Sequence, residues 1–179
     1  MTKTLRLALM SFMMLLCSTA FAETVTFESS VDKGSISDYN LAGYDEITKN
    51  GIKISISSGM LGFGSHYRIY KGQTMTVSST AGTITNIDIT CIVEGAEKYG
   101  PGCFTDPTTG SYTYNGIVGT WSGAASSITL TASANQVRAT KIVVTYSTSA
   151  ATKKAANMSF SKKKRRNRYG TDIYGSYTD

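Results

Sequence analysis

The sequence predicts an all-β protein, built as an antiparallel β-sandwich with a jelly-roll-like arrangement of strands. Three observations carry this prediction. Apolar and polar residues alternate with a period of two, Gly, Asn and Ser turns recur about every ten residues, and residues 23–149 have no helical periodicity. An alternating strand has one apolar face, which needs a second layer of strands to cover it.

The clearest strand is predicted at residues 83–93. Its apolar side chains, Ile87, Ile89, Cys91 and Val93, occupy every second position, with Asn, Asp and Thr between them. This pattern is typical of a strand with one buried face.

The remaining strands follow in chain order. A first strand is predicted at residues 24–27, and Asn50-Gly51 predicts a hairpin turn between two alternating runs. A second hairpin is predicted over residues 67–77, with Lys71-Gly72 at its turn. Four later strands are predicted at residues 111–114, 119–121, 128–132 and 137–146, and long loops at residues 29–43, 57–65 and 95–110.

The N-terminus predicts a secretory signal peptide at residues 1–22. Lys3 and Arg6 precede an apolar run at residues 7–17, and Ala20-Phe21-Ala22 resembles a cleavage site. The run is shorter than the roughly 20 residues that a membrane-spanning helix needs, so no transmembrane segment is predicted. We therefore expect a secreted protein, located outside the cell, at the cell surface or in the periplasm.

The mature chain has one cysteine pair, Cys91 and Cys103. An exported protein reaches an oxidising compartment, where disulfides persist. The sequence therefore predicts a Cys91–Cys103 disulfide that fixes the long loop to the central strand.

Charge divides the chain into a β-sandwich domain at residues 23–149 and a basic tail at residues 150–179. The domain has eight Lys or Arg against ten Asp or Glu, whereas the tail has eight against two. The tail is predicted to be disordered, and its basic side chains could contact anionic surfaces. The cluster consists of Lys162, Lys163, Lys164, Arg165, Arg166 and Arg168.

Few residues offer catalytic or metal chemistry. His66, the single histidine, is predicted to be an ordinary surface residue, and no catalytic residue or zinc site is assigned. One alternative is a small glycan hydrolase with two converging carboxylates among Glu46, Glu94, Glu97 and Asp106. Another is a structural Ca²⁺ in a sandwich loop, because Asp38, Asn40, Asp45 and Glu46 provide oxygen ligands. No other cofactor is predicted.

Aromatic residues in or beside the predicted loops are the candidates for ligand contact. Flat rings suit the C–H faces of sugars, while neighbouring polar groups can bind the hydroxyls. The candidates are Tyr99, Trp121, Tyr112, Tyr114 and Tyr67.

Four segments of the chain resemble a known domain. They are YRIYKGQT at residues 67–74, YGPGCFT at 99–105, GTWSG at 119–123 and NQVRATKIVVT at 135–145. Together they resemble a small β-sandwich domain, without an assigned function, that recurs in secreted and cell-surface proteins of gut and oral anaerobic bacteria. The resemblance implies an accessory adhesive or glycan-binding role, and it brings no catalytic residues.

These observations favour a secreted, non-catalytic binding module whose leading ligand is a carbohydrate or other glycan polymer at a cell surface. A structural or adhesin-type subunit with a protein partner is the alternative from another class. The glycan hydrolase remains the enzymatic alternative.

Overall fold

The computed structural model describes residues 20–107 and 109–149, and residues 22–148 form one compact unit. Residues 1–19 of the predicted signal peptide and the predicted tail lie outside the described residues. The strands are β1 (Ala20–Glu28), β2 (Gly43–Lys49), β3 (Ile52–Met60), β4 (Tyr67–Ile69), β5 (Thr74–Ser79), β6 (Thr83–Cys91), β7 (Ser111–Asn115), β8 (Val118–Ala125), β9 (Ser127–Thr131) and β10 (Val137–Ser149). Two short 3₁₀ turns lie at Tyr39–Leu41 and Pro101–Cys103. The prediction of an all-β fold is confirmed.

The strands form one curled sheet in the order β7-β8-β6-β10-β4-β3-β5-β9, with β1 beside β10 and β2 beside β3. β2, β3, β5 and β9 make one half, and β6, β7, β8 and β10 make the other. The neighbouring pairs within each half are antiparallel.

Both halves contribute to a single core. Ile54 and Met75 from the first half and Ile87, Trp121 and Ile142 from the second belong to one cluster of buried side chains. The two halves therefore cover each other's apolar faces, as the alternating strands predict, and this arrangement agrees with a sandwich.

Strand β6 ends at Cys91, two residues earlier than predicted. Its pairing shifts between Ile84 and Asn86, so Ile84 and Ile87 are both buried although they are three residues apart. A bulge explains this spacing, since one extra residue resets the alternation.

The Asn50-Gly51 hairpin is confirmed, because Lys49 pairs with Ile52 and both turn residues have positive φ, 50° and 76°. The prediction of a hairpin at Lys71-Gly72 is wrong. β4 and β5 do not pair with each other; both pair with the same edge of β3. The chain shifts sideways at Gly72, whose N–H donates to Ala132 O, without reversing its direction.

Strand β3 continues through Met60, into a segment predicted to be a loop. Gly59 has a φ of 156°, and a Cβ on it would lie 1.9 Å from Arg68 O. A glycine is therefore required where β3 meets β4. This contact makes β4 the connection between the two halves, because β4 pairs with β3 on one side and β10 on the other.

Among the described residues, no helix is long and apolar enough to span a membrane.

Candidate functional site

Three of the predicted ligand-contacting rings belong to the core. Trp121 and Tyr67 are fully buried and Tyr112 nearly so. Trp121 Nε1 donates to Thr109 O at 2.8 Å, and the hydroxyls of Tyr112 and Tyr67 donate to Pro101 O and Asp32 O. Burial raises the pKa of both tyrosines, so the hydroxyls remain protonated donors. These rings stabilise the fold and offer no face to a ligand.

The other two predicted rings reach the surface. Tyr114 on β7 is half exposed, and Tyr99 lies in the loop after β6. Tyr99 has a φ of 88°, an unusual conformation for a bulky residue. Its N–H donates to Gln136 O at 2.8 Å and its carbonyl accepts from Arg138 N–H at 3.2 Å. Strained residues of this kind concentrate at binding sites.

Tyr99 contacts Arg138, one of a pair of arginines on β4 and β10. Arg68 and Arg138 are directly opposite each other in the antiparallel register, so their side chains share a face. Tyr67 and Ile69 on either side of Arg68 are buried in the core, and alternation therefore places Arg68 on the outer face. Two like charges directly opposite each other destabilise a sheet unless something compensates for them.

Aromatic rings cover both guanidinium groups. Arg68 Cζ lies 3.9 Å from the ring centre of Phe63 and 4.4 Å from that of Tyr39. Arg138 Cζ lies 3.6 Å from the ring centre of Tyr99, and Lys98 Nζ approaches the same ring at 5.1 Å. Such cation–π contacts partly replace lost hydration, at about 0.5–2 kcal/mol each.

His66 completes this group. Its ring centre is 5.2 Å from that of Phe63, and its Nδ1 is 2.9 Å from Ser65 Oγ. The prediction of a surface histidine is wrong, because the residue is only 8% exposed. Burial, followed by the charges of Arg68 and Arg138, lowers the pKa of His66 from 6.5 to about 4. We call Tyr39, Phe63, His66, Arg68, Tyr99 and Arg138 the basic–aromatic cluster.

Neither arginine has a carboxylate partner among the described residues. The ion pairs found there are Lys49–Asp32 and Lys53–Glu46. Arg138 Nε donates to Gln136 Oε1 at 3.3 Å, whereas Arg68 Nε and His66 Nε2 are buried without a hydrogen-bond partner. The cluster therefore has excess positive charge and unused donors.

A polar depression of about 360 Å³ adjoins the cluster at Ser65. Its lining includes Glu28, Ser29, Ser65, Thr90, Thr140 and Lys141. Its volume is within the usual range for small-ligand sites, although its lining is more polar than most. Hydroxyl, carboxylate and ammonium groups at this density are suited to bind a ligand rich in hydroxyls.

The predicted disulfide is absent, since Cys91 and Cys103 are free, buried thiols. The Cys103 thiol donates to Glu97 O at 3.0 Å. Burial, and secondarily Cys103, raises the pKa of Cys91 to about 12.

The described acidic residues do not form a metal centre, because no group of three His, Cys, Asp or Glu side chains converges there. Asp45 accepts five hydrogen bonds, from three residues of neighbouring loops and from Glu46 N. Asp38 accepts from Asn40 N at the start of a 3₁₀ turn. These two carboxylates, considered above as calcium ligands, are engaged with the protein's own donors.

Glu46 shows no sign of acting as a general acid. Hydrogen bonds from Tyr44 and Lys53 lower its pKa, whereas a catalytic acid needs a raised one. Glu94, Glu97 and Asp106 are exposed on the loop between β6 and β7.

Comparison of the chain with protein-family models, with curated proteins and with solved structures gives no match.

Sequence reasoning did not assign Arg68, Arg138 or His66 to a site. One signal was present in composition: residues 23–149 contain two arginines, and they are these two. The signal becomes meaningful only with the strand register, which places the two arginines opposite each other.

Proposed function

We propose that the folded domain is a non-catalytic module that binds carbohydrate at a cell surface, through the basic–aromatic cluster and the adjoining polar depression. The observation that carries the proposal is the pair of unpartnered buried donors, Arg68 Nε and His66 Nε2, in a cluster that Ser65 connects to this depression. Tyr39, 55% exposed, and the half-buried Tyr99 provide ring surface for stacking on a sugar.

A glycan array probed with the full chain tests this proposal. We expect binding that Tyr99→Ala abolishes while the unfolding midpoint stays close to that of the wild type. Tyr44→Ala is the matched control, because Tyr44 is an exposed tyrosine outside the cluster. Retention of glycan by Tyr99→Ala would remove this ring from the site, and polysaccharide turnover by the purified chain would contradict a non-catalytic role.

Export and the basic tail belong to the same proposal but rest on sequence alone. N-terminal sequencing of the protein recovered outside the cytoplasm should begin at Glu23. Deleting residues 150–179 should reduce binding to anionic vesicles at low salt, because the attraction is electrostatic. Equal binding by the truncated chain would end the tail's assigned role.

A second candidate is an adhesin-type subunit with a protein partner. Leu41 and Tyr44 are 68% and 60% exposed near the first 3₁₀ turn, and exposed apolar side chains are common in protein interfaces. In contrast, the strands at the two ends of the sheet order, β7 and β9, expose mainly polar side chains, with Tyr114 as the exposed aromatic residue of β7. Concentration-dependent association in sedimentation that Leu41→Asp removes would favour this candidate.

A further inference from the structure

Two neighbouring donors of the cluster lack acceptors. Arg68 is 4% exposed and His66 is 8% exposed, and each has a buried nitrogen without a hydrogen bond. The two residues are separated by one position in an extended segment, so their side chains point to the same side. Phe63 contacts both side chains, the His66 ring and the Arg68 guanidinium, so the two residues share one aromatic neighbour.

The charge at this location favours an anion. Arg68 and Arg138 are opposite each other without a carboxylate among the described residues, and Lys33 Nζ reaches the same loop at Gly64. A buried unpaired donor destabilises the fold, and more so when it is charged. An anion that accepts from both nitrogens would recover that cost and reduce the repulsion between the arginines.

The shape of the donors favours a carboxylate. Guanidinium is planar and matches the two oxygens of a carboxylate. Donation from the Ser65 hydroxyl to His66 Nδ1 would place the proton of the neutral imidazole on Nε2. The depression at Ser65 is lined by the hydroxyls that a sugar ring would contact.

We propose that the cluster binds the carboxylate of an acidic sugar, a hexuronate, between Arg68, Arg138 and His66, with the sugar ring in the adjoining depression. This inference rests on the proposed glycan-binding function and names the class of sugar. Neutral glycans that bind elsewhere on the domain would leave the proposed function intact and remove only this inference.

The single histidine of the chain makes a direct measurement possible. Proton NMR of the full chain gives a single imidazole Hε1 signal, whose pH titration follows His66 alone. The charges facing His66 are Arg68 from β4 and Arg138 from β10. A bound carboxylate opposes these charges and stabilises the imidazolium, so galacturonate should raise the pKa of His66.

The ligand arms separate the possible anions. Galacturonate should shift the signal at salt of about 0.15 M, where surface attraction is screened. Galactose, which lacks the carboxylate, should shift it far less. Inorganic phosphate causing the same shift as galacturonate would show a general anion site and overturn the assignment to an acidic sugar. An unchanged histidine signal with galacturonate would overturn the proposal altogether.

Variants locate the effect in the cluster. Arg138→Gln should weaken galacturonate binding about tenfold or more, the loss expected for a charged hydrogen bond. Lys53→Gln is the matched control, because it also removes one positive charge. Lys53 is seven residues along β3 from Met60, the partner of Arg68, a separation of roughly 23 Å. Equal weakening by the two variants would indicate net charge as the cause and contradict the site.

Discussion

Asp45 and Arg68 are both buried charged residues, yet they differ in how fully their polar atoms are hydrogen-bonded. Asp45 is 2% exposed and accepts five hydrogen bonds, four of them from backbone N–H groups. Arg68 is 4% exposed and has an unpartnered Nε. The chain can therefore satisfy a buried charge completely, so Asp45 serves the fold, whereas in our proposal Arg68 serves a partner.

The largest effect is expected at Trp121. Like Asp45, Trp121 is buried with its polar group hydrogen-bonded. Trp121→Ala should lower the free energy of unfolding by about 4 kcal/mol, because it leaves a large cavity. Urea denaturation measures this loss. Tyr114→Ala, a half-exposed ring on the neighbouring strand, should cost less than about 1 kcal/mol. Similar losses in both variants would mean that burial does not distinguish these two rings.

Asp45→Asn should lower the free energy of unfolding by about 3 kcal/mol. The amide keeps the size of the side chain but presents donors where N–H groups now donate to both oxygens. The same denaturation experiment measures this change. A loss below about 1 kcal/mol would show that the five hydrogen bonds contribute little.

Arg68→Met should instead stabilise the fold, with a free energy of unfolding about 1 kcal/mol higher than that of the wild type. Methionine fills similar space without a buried unpaired charge and removes the repulsion from Arg138. The lost cation–π contacts with Phe63 and Tyr39 offset part of this gain. A marked loss of stability on denaturation would make Arg68 a structural residue like Asp45.

The last prediction concerns pH. His66 binds a proton at about pH 6.5 when unfolded and at about pH 4 when folded. The unfolded state therefore holds more protons in this window, and the free energy of unfolding should fall as pH decreases through it. His66→Gln should show a flatter dependence between about pH 6.5 and 5, above the range where most carboxyl groups titrate. Identical slopes for both proteins would contradict the lowered pKa.

Local features of the fold were predictable, because the residues that determine them are adjacent in the chain. Asn50-Gly51 fixes its own turn, and the alternation around Ile87 and Ile89 identifies a strand. The glycine at Lys71-Gly72 indicates a change of path, but only the pairing with β3 decides that the chain does not reverse. The pairing of strands that are distant in the chain cannot be predicted from adjacent residues.

The candidate site was less predictable for the same reason. Trp121 could be assigned to a strand, but whether its ring faces core or solvent depends on the register with β6 and β7. Arg68 and Arg138 are distant in sequence and become neighbours only when β4 pairs with β10. Composition alone could not show that the domain's two arginines meet.

Strand β4 has a mechanical consequence. Its three residues connect the two halves of the sheet, and Arg68 and Arg138 lie opposite each other where β4 pairs with β10. A molecule bound by both side chains would cross-link β4 to β10. Tension that pulls the halves apart would then have to break the contacts of this molecule with the two arginines as well as the backbone hydrogen bonds. An occupied site should therefore resist shear better than an empty one.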